Sequence, residues 1–555
     1  MSILPQIVTK YPESFHSRCV LCQSPVKYLY PSNPRIFRDL HGAFEEVRHF
    51  YLCTNVGCVN SQKPFNPSPH YALSHKHFTL AVWQYIGREA KLRDESASDI
   101  QARIKDEYGI DIAESTIRRC IDEIDVYLTG QIDQRTHDLV RGQGKVLICL
   151  DGQEPDEGED ALWLFVGAIS NRVLKIAILP SADHQTLHHH IKEICTLFEV
   201  EVIGFISDKQ NNITKMHDEF YPDLPHQYCQ FHFLQNLWSH LESKDRHLQQ
   251  ALAGMINHLY IVTVSKTETR EIPNVGTVNL RAYFQRIESD LRKLVKTRGK
   301  KFSQIPGIIT WDKVQSYAKT IEEVCDMQDE DHRITKILRK TAQTMTEMLD
   351  ETSGDKDDCV LLLAQFKEIQ DALATEYGTQ ETHLAAIVPI FNRIWDWTRR
   401  KGDLHKKEEL RAKLPKANGS RVEISQQWVR LFDSYKRGLF AYYNFPVKQR
   451  TNSQMEQKFG REKAALYARC KRKKVGDQIR IRGDFLLKQL YAGKDELKQH
   501  LAHLGSTFSR EDILKGLQEL EKRHIEEREG WQSNLGGKDA LLELFGQKKR
   551  KKKGA

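Results

Sequence analysis

The sequence has no uninterrupted apolar run that approaches 18 residues, the length needed for a membrane-spanning helix. Its first fifteen residues also lack the basic-then-apolar pattern of a signal peptide. We therefore expect no membrane partner and an intracellular location, which would be cytoplasmic and nucleoid-associated in a bacterium or nuclear in a eukaryote. In such a compartment the 11 cysteines are better explained as thiols or metal ligands than as disulfides.

The excess of positive charge is small. The 555 residues carry 83 Lys and Arg against 75 Asp and Glu, a net charge of +8, which does not by itself predict a nucleic-acid partner. The basic residues are concentrated, however, in three blocks at 296–301, 469–474 and 548–553. One such block is often solvated surface, but three in one chain favour a polyanionic partner. The length predicts two to four domains.

The first 75 residues contain two close cysteine pairs. Cys19 and Cys22 are separated by two residues, and Cys53 and Cys58 by four, with thirty residues between the pairs. This spacing and the short strand-like stretches between the pairs are typical of a zinc ribbon with a closed, structural Zn²⁺ site. Two unrelated pairs of buried cysteines are the alternative. A histidine could also replace one thiol, and four are near enough: His49, His70, His75 and His77.

Residues 76–135 predict three helices. Ser96 or Ser98 is a plausible N-cap of the second helix, and Gly109 follows its end. The third helix is amphipathic and carries Arg118 and Arg119 near its start. The arrangement indicates a helix-turn-helix whose third helix contacts DNA through these arginines, although many helix pairs share the pattern without binding DNA.

Residues 143–235 predict strands and helices in the order β-β-β-α-β-α-β. This order is typical of a mixed sheet flanked by helices, and we expect an α/β ribonuclease-H-like core. Asp151 and Asp208 end two apolar strands. Asp208 could simply cap a turn or the next helix. In a nuclease of this architecture, two strand-end carboxylates and a third from a helix bind two divalent ions, for which carboxylates favour Mg²⁺ or Mn²⁺.

The rest of the chain is predominantly helical. We expect a large all-helical insertion at 236–445, the second part of the catalytic core at 446–485, and a helical C-terminal region with a basic tail at 486–555.

Four motifs in this order resemble the DDE transposases, especially the Mutator-like, hAT and related bacterial insertion-sequence enzymes. They are LDGQ with Asp151, ISDKQ with Asp208, YCQFHFLQN with Cys229 and His232, and RTNSQMEQ with Asn452 and Glu456. The resemblance covers about 145–485. It implies that Glu456 is the third catalytic carboxylate and metal ligand, reached after the helical insertion. It also implies that Cys229, His232 and Asn452 support the site, although Cys229 and His232 could be ordinary packed residues.

Several acidic residues compete for these roles. Glu462 follows Glu456 by six residues and therefore lies on a different helix face. Lys209 and Gln210 stand where several relatives have a glycine after the second aspartate, so the details of that loop are open. The other acidic competitors form a solvated turn: Glu154, Asp156 and Glu157. His188, His189 and His190 point in three directions on a helix, which favours a surface position over a metal cluster.

The basic stretch after Glu456 predicts contacts to DNA phosphates, with a solvated helix face as the alternative. The residues concerned are Lys471, Arg472, Lys473 and Lys474. The motifs together predict a transposase that binds double-stranded transposon ends, cleaves DNA and joins the 3′ hydroxyl to target DNA, and the resemblance implies a homodimer or larger assembly on DNA. The alternatives are a non-catalytic DNA-binding regulator and a structure-selective nuclease.

Overall fold

A computed structural model describes residues 7–10, 16–66, 72, 76–154, 160–179, 182–258, 269–272, 276–299, 302–326, 333–401, 420–470, 476–504 and 510–534. The chain forms two compact units. Unit 1 comprises residues up to 203, residues 218–220 and residues from 453 onward, and unit 2 comprises 204–217 and 221–452.

Among the described residues, the strands are β1 (Ile7–Lys10), β2 (Val26–Pro31), β3 (Arg35–Asp39), β4 (Gly42–Glu46), β5 (His49–Cys53), β6 (Lys145–Gln153), β7 (Ala161–Gly167), β8 (Arg172–Leu179), β9 (Glu201–Ser207), β10 (His226–Tyr228), β11 (Thr269–Ile272) and β12 (Gly276–Asn279). The helices are α1 (Leu80–Leu92), α2 (Ala97–Tyr108), α3 (Glu114–Gln143), α4 (His184–Phe198), α5 (Asn211–Phe220), α6 (Gln230–His258), α7 (Leu280–Leu294), α8 (Pro306–Asp326), α9 (Arg333–Ala374), α10 (Gln380–Lys401), α11 (Arg421–Tyr435), α12 (Ser453–Cys470), α13 (Gly476–Ala492), α14 (Lys494–Ala502) and α15 (Arg510–Asn534).

The amino-terminal part of unit 1 has two small sheets. β2 and β5 form an antiparallel pair, which brings Val26 opposite Cys53. β4 pairs with β3 as antiparallel strands and with β1 as parallel strands. The β2–β5 pair returns the chain from the first cysteine pair to the second, as a ribbon requires.

Helices α1, α2 and α3 follow the ribbon. The hydroxyl of Ser96 accepts a hydrogen bond from the Asp99 backbone N–H at 3.3 Å, so Ser96 is the N-cap of α2. Gly109 ends α2 with a φ of 65°, a left-handed conformation that glycine adopts without steric cost. α3 is 30 residues long, because it continues past the amphipathic stretch and ends at Gly144, immediately before β6.

The C-terminal helices pack against α1–α3 in one hydrophobic core. Leu497, Leu501, Leu504 and Ile513 are buried in the same cluster as Ile117 and other residues of the three helices. Unit 1 therefore packs α14 and α15, which are almost 400 residues further along the chain, against α1–α3. The assignment of α1–α3 to a helix-turn-helix stays a prediction.

The central sheet has the order β10-β9-β6-β7-β8. β6, β7 and β8 are consecutive antiparallel strands, whereas β10 is parallel to β9. The backbone N–H of Glu201 donates to the Gly144 carbonyl at 3.2 Å, so β6 and β9 begin at the same edge. The mixed sheet and its helices confirm the predicted α/β class. The finer assignment to the ribonuclease-H-like fold stays a prediction.

Unit 2 is mostly helical. A large buried cluster joins α6, α7, α8 and α9, with Leu252, Phe284 and Met345 among its members. The β11–β12 hairpin is a short exception to the helical pattern. Asp245 on α6 accepts hydrogen bonds from the backbone N–H groups of Gly307 and Ile308 at 2.8 and 3.0 Å and so caps the start of α8. In the described part of the chain, no helix has both the length and the hydropathy required to cross a membrane.

Candidate metal centre and carboxylate site

Cys19, Cys22, Cys53 and Cys58 converge in the ribbon. Their sulfur atoms all lie within 4.8 Å of one another. The Sγ atoms of Cys19 and Cys58 are 3.8 Å apart, and those of Cys22 and Cys53 are 3.4 Å apart. Four sulfurs at about 2.3 Å from a tetrahedral Zn²⁺ would be about 3.8 Å apart. The four thiols therefore have the composition and spacing that a structural zinc site requires.

Nearby N–H groups orient the sulfur atoms. The Asn60 side-chain amide donates to the Cys19 sulfur at 3.4 Å, and the Asn55 backbone N–H donates to the Cys53 sulfur at the same distance. Such bonds hold metal ligands in place and stabilise thiolate charge. A hydrogen bond from the Ser24 side chain lowers the pKa of Cys22 to about 6, whereas burial raises that of Cys53 to about 12. Four neighbouring thiolates repel one another, so the four thiols can all be ionised only when a bound cation neutralises their charge.

These four cysteines form the one group of three or more His, Cys, Asp and Glu side chains in the described ranges whose ligand atoms converge closely enough for an ion. Cys58 completes a group of four sulfurs that could bind zinc, as predicted. His49 lies instead on β5, with its ring 5.7 Å from that of Tyr28. The backbone carbonyl of His77 accepts from Arg38, and His70 and His75 lie outside the described residues.

Arg118 and Arg119 lie on the exposed side of α3. Their side chains are 66% and 68% exposed, so both can reach a partner. Arg118 pairs with Glu114 one turn earlier, and Arg119 lies 3.6 Å from Glu123. Whether they contact DNA stays a prediction. The four cationic residues predicted at 471–474 lie outside the described residues.

Asp151 lies in β6 opposite Leu164 of β7 and is 6% exposed. Tyr491, on α13, is close enough to interact with it: burial, followed by the charges of Cys149 and Asp151, raises the pKa of Tyr491 above its usual range. The position of Asp151 in a central strand fixes its backbone. The proximity of Tyr491 was not evident from the sequence, because no motif connects α13 with β6.

Asp208 follows the last residue of β9 and is partly exposed. The Gln210 side-chain amide donates to its Oδ2 at 2.8 Å. Burial, followed by the charge of Asp208, raises the pKa of Tyr435 to about 12, and the Lys209 ammonium lies 5.2 Å from the centre of the Tyr435 ring. Asp208 does not serve as the N-cap of α5, since Gln210 occupies that position.

The end of β9 is connected by hydrogen bonds to the segment that precedes α12. The Cys229 backbone N–H donates to the Ser207 carbonyl at 2.7 Å. The Cys229 sulfur accepts from the Asn452 backbone N–H at 3.4 Å, and the Gln230 N–H donates to the Arg450 carbonyl at 3.1 Å. Cys229 and Asn452 are both completely buried. Unit 2 thus brings these two predicted supporting residues together beside the residue that precedes Asp208. His232 is partly buried on the first turn of α6.

Glu456 and Glu462 differ in burial. The buried face of α12 comprises Met455, Phe459, Glu462 and Leu466, with Glu462 only 1% exposed. Among the described residues, Glu462 Oε1 has no hydrogen-bond partner. Burial, followed by the charge of Asp484, raises the pKa of Glu462 well above its usual range. Glu456 is partly exposed in the first turn. Burial therefore does not single out Glu456, and its catalytic role stays a prediction.

The remaining polar candidates that the structure describes form no metal group. His188 stacks on Phe220 with ring centroids 3.9 Å apart, while His189 is exposed and His190 contacts Glu193 at 2.7 Å. Glu154 immediately follows β6, and residues 155–159, with Asp156 and Glu157, lie outside the described residues.

No protein-family model matches the sequence, and no curated protein matches it. Among solved structures, the chain is similar to the Drosophila P element transposase strand transfer complex. The identity is 12%, the TM-score is 0.29, and the alignment covers 75% of this chain and 92% of that chain. This is a distant likeness, and the functional argument therefore depends on the residues described above.

Proposed function

We propose that the chain is a transposase-like DNA-processing protein with a catalytic site of Asp151, Asp208 and Glu456. The observation that carries the proposal is the hydrogen-bonded connection between Ser207, Cys229 and Asn452. It ties the segment that leads into α12 to the strand end that bears Asp208. A second observation supports the choice of the two aspartates. Glu201 and Gly144, which share a backbone hydrogen bond, each precede one of them by seven residues.

The three carboxylates have the chemistry that Mg²⁺ or Mn²⁺ prefers. When bound, two such ions would activate a hydroxyl nucleophile and stabilise the leaving oxygen of a phosphodiester. The chain would supply one ligand directly after β9 and the third from α12. Asp151 lies within β6, which continues to Gln153, and not at the strand end that the sequence predicted. The ribbon and the exposed arginines of α3 would hold double-stranded DNA, and two or more copies would pair transposon ends.

The experiment supplies the purified chain with labelled element ends, target DNA and Mg²⁺, and separates nicked from joined products. Inverted repeats that flank the reading frame would provide the end sequences. Joined products would support the proposal. Nicks without joining would favour the structure-selective nuclease, and binding without either product would favour the non-catalytic regulator.

A further inference from the structure

Unit 1 contains a cleft of about 640 Å³ between α12, α13 and the start of α14, beside the end of α1. This volume is within the range of about 300–1,000 Å³ that is common for ligand sites. The floor is apolar and is formed by Ala465, Ala468, Leu486 and similar side chains. None of the motifs in the sequence predicts it.

The charged residues that line the cleft are mostly basic. They are Lys91, Lys458, Arg461 and Lys494, against one carboxylate, Asp94. Lys91 pairs with the buried Asp125, which leaves Lys458, Arg461 and Lys494 as the cations that can receive an anion. The Lys458 ammonium donates to the Leu490 carbonyl, and the Lys494 ammonium donates to the Leu92 carbonyl, both at 2.5 Å. These two bonds fix the lysines on the cleft without neutralising them. The site therefore attracts an anion that also has an apolar part.

The cleft occupies its own face of α12. Arg461 follows Glu456 by five residues, which places it about 140° around the helix. The buried face of α12, which includes Met455 and Phe459, separates Glu456 from Arg461 along the longer way around the helix. The cleft is consequently separate from the proposed metal site, although one helix carries residues of both.

We propose that this cleft binds one nucleotide of a DNA strand, with the phosphate at Lys458, Arg461 and Lys494 and the sugar or base on the alanine and leucine floor. The proposal rests on the proposed function for its DNA partner. A stacked duplex presents phosphates but keeps its bases inside, whereas a single strand can offer both parts. Single-stranded DNA is therefore the expected ligand, and a free nucleotide has the same chemistry.

The test measures binding of a labelled random-sequence oligonucleotide, single-stranded or duplex, to the full-length protein without divalent ions. The double variant Arg461→Gln/Lys494→Gln removes charge, and Ala465→Phe fills the cleft without changing charge. Lys463→Gln and Lys498→Gln are matched controls on the same two helices and do not line the cleft. We expect about a tenfold loss of single-strand affinity in both cleft variants, a smaller salt dependence in the charge variant, and no change in the controls.

The proposal would be overturned if the control variants lost as much single-strand affinity as the cleft variants. Normal single-strand affinity of Ala465→Phe would overturn it as well. In either case the cations would form only a diffuse basic surface. A mononucleotide that competes as strongly as the unlabelled oligonucleotide would assign the cleft to free nucleotides, and one that competes only weakly would support the DNA strand. If the cleft variants lose affinity only for an acidic peptide, the nucleotide assignment is wrong.

Wild-type protein that binds no DNA would contradict the proposed function as well as the cleft. Equal DNA binding by the wild type and the variants would contradict the cleft alone.

Discussion

The Asn452 backbone N–H donates a hydrogen bond of 3.4 Å to the Cys229 sulfur, although 223 residues separate the two. The intervening chain forms most of the helical part of unit 2. A helical insertion of this length leaves a catalytic site intact only if its two ends return to the same place. The Cys229–Asn452 contact brings the two ends of this segment together, and four residues later the chain reaches Glu456, the proposed third carboxylate.

The ribbon should contain one Zn²⁺ per chain. Replacement of Cys53 by serine should release the metal and weaken binding to specific DNA ends, since the ribbon depends on its ion. Metal analysis and thermal unfolding of the full chain measure this. Cys195→Ser is the control, because Cys195 lies on α4 outside the site. A chain purified without zinc that still unfolds normally would contradict the assignment.

The exposed arginines of α3 should determine DNA sequence preference. If Arg118 and Arg119 contact base edges, replacing either by glutamine should cost about 1–3 kcal/mol and relax the preference. Arg141→Gln, at the far end of the same helix, should have no such effect. Affinities for matched and mismatched ends provide the measurement. An equal loss for every sequence would limit the arginines to phosphate contacts.

Gly483 should tolerate no side chain while Glu462 is present. A Cβ atom at Gly483 would lie 2.7 Å from Glu462 Oε1, and the buried glutamate has little room to move. We expect Gly483→Ala to destabilise the protein by about 1–3 kcal/mol. Gly460→Ala, where nothing lies within 4 Å, should stabilise α12 by about 0.5–1 kcal/mol. Chemical unfolding compares them. Equal stability of the two variants would show that Glu462 is mobile.

Glu462 should make stability depend on pH. Its folded-state pKa is raised above 4.5 by burial, so the folded chain holds this proton more tightly than the unfolded chain. Its contribution to the free energy of unfolding is fully present below about pH 4.5 and is lost as the pH rises through the folded pKa. Glu462→Gln should therefore gain stability relative to wild type as the pH rises. A difference that does not change with pH would contradict the assignment of a raised pKa.

The sequence predicts some parts of the fold better than others, for physical reasons. Close cysteine pairs specify a zinc site because ligand geometry restricts their spacing, and the four sulfurs converge as expected. An amphipathic pattern shows that a helix buries one face but not which partner covers it. The packing of Leu497 and Leu501 against α1–α3 was therefore not predictable. The cleft beside Lys458 was not predictable for the same reason, because it depends on how α12, α13 and α14 pack against one another.

The most direct test of the central claim compares Glu456→Gln with Glu462→Gln for cleavage and joining of element ends, in Mg²⁺ and in Mn²⁺. Both substitutions retain side-chain shape and remove a carboxylate from α12. We predict that Glu456→Gln abolishes both reactions while DNA binding survives, because the proposed site would perform both steps with the same carboxylates. Glu462→Gln should retain most activity, since its carboxyl lies on the buried face of α12. Normal joining by Glu456→Gln would contradict the account and remove the third carboxylate from the proposed site.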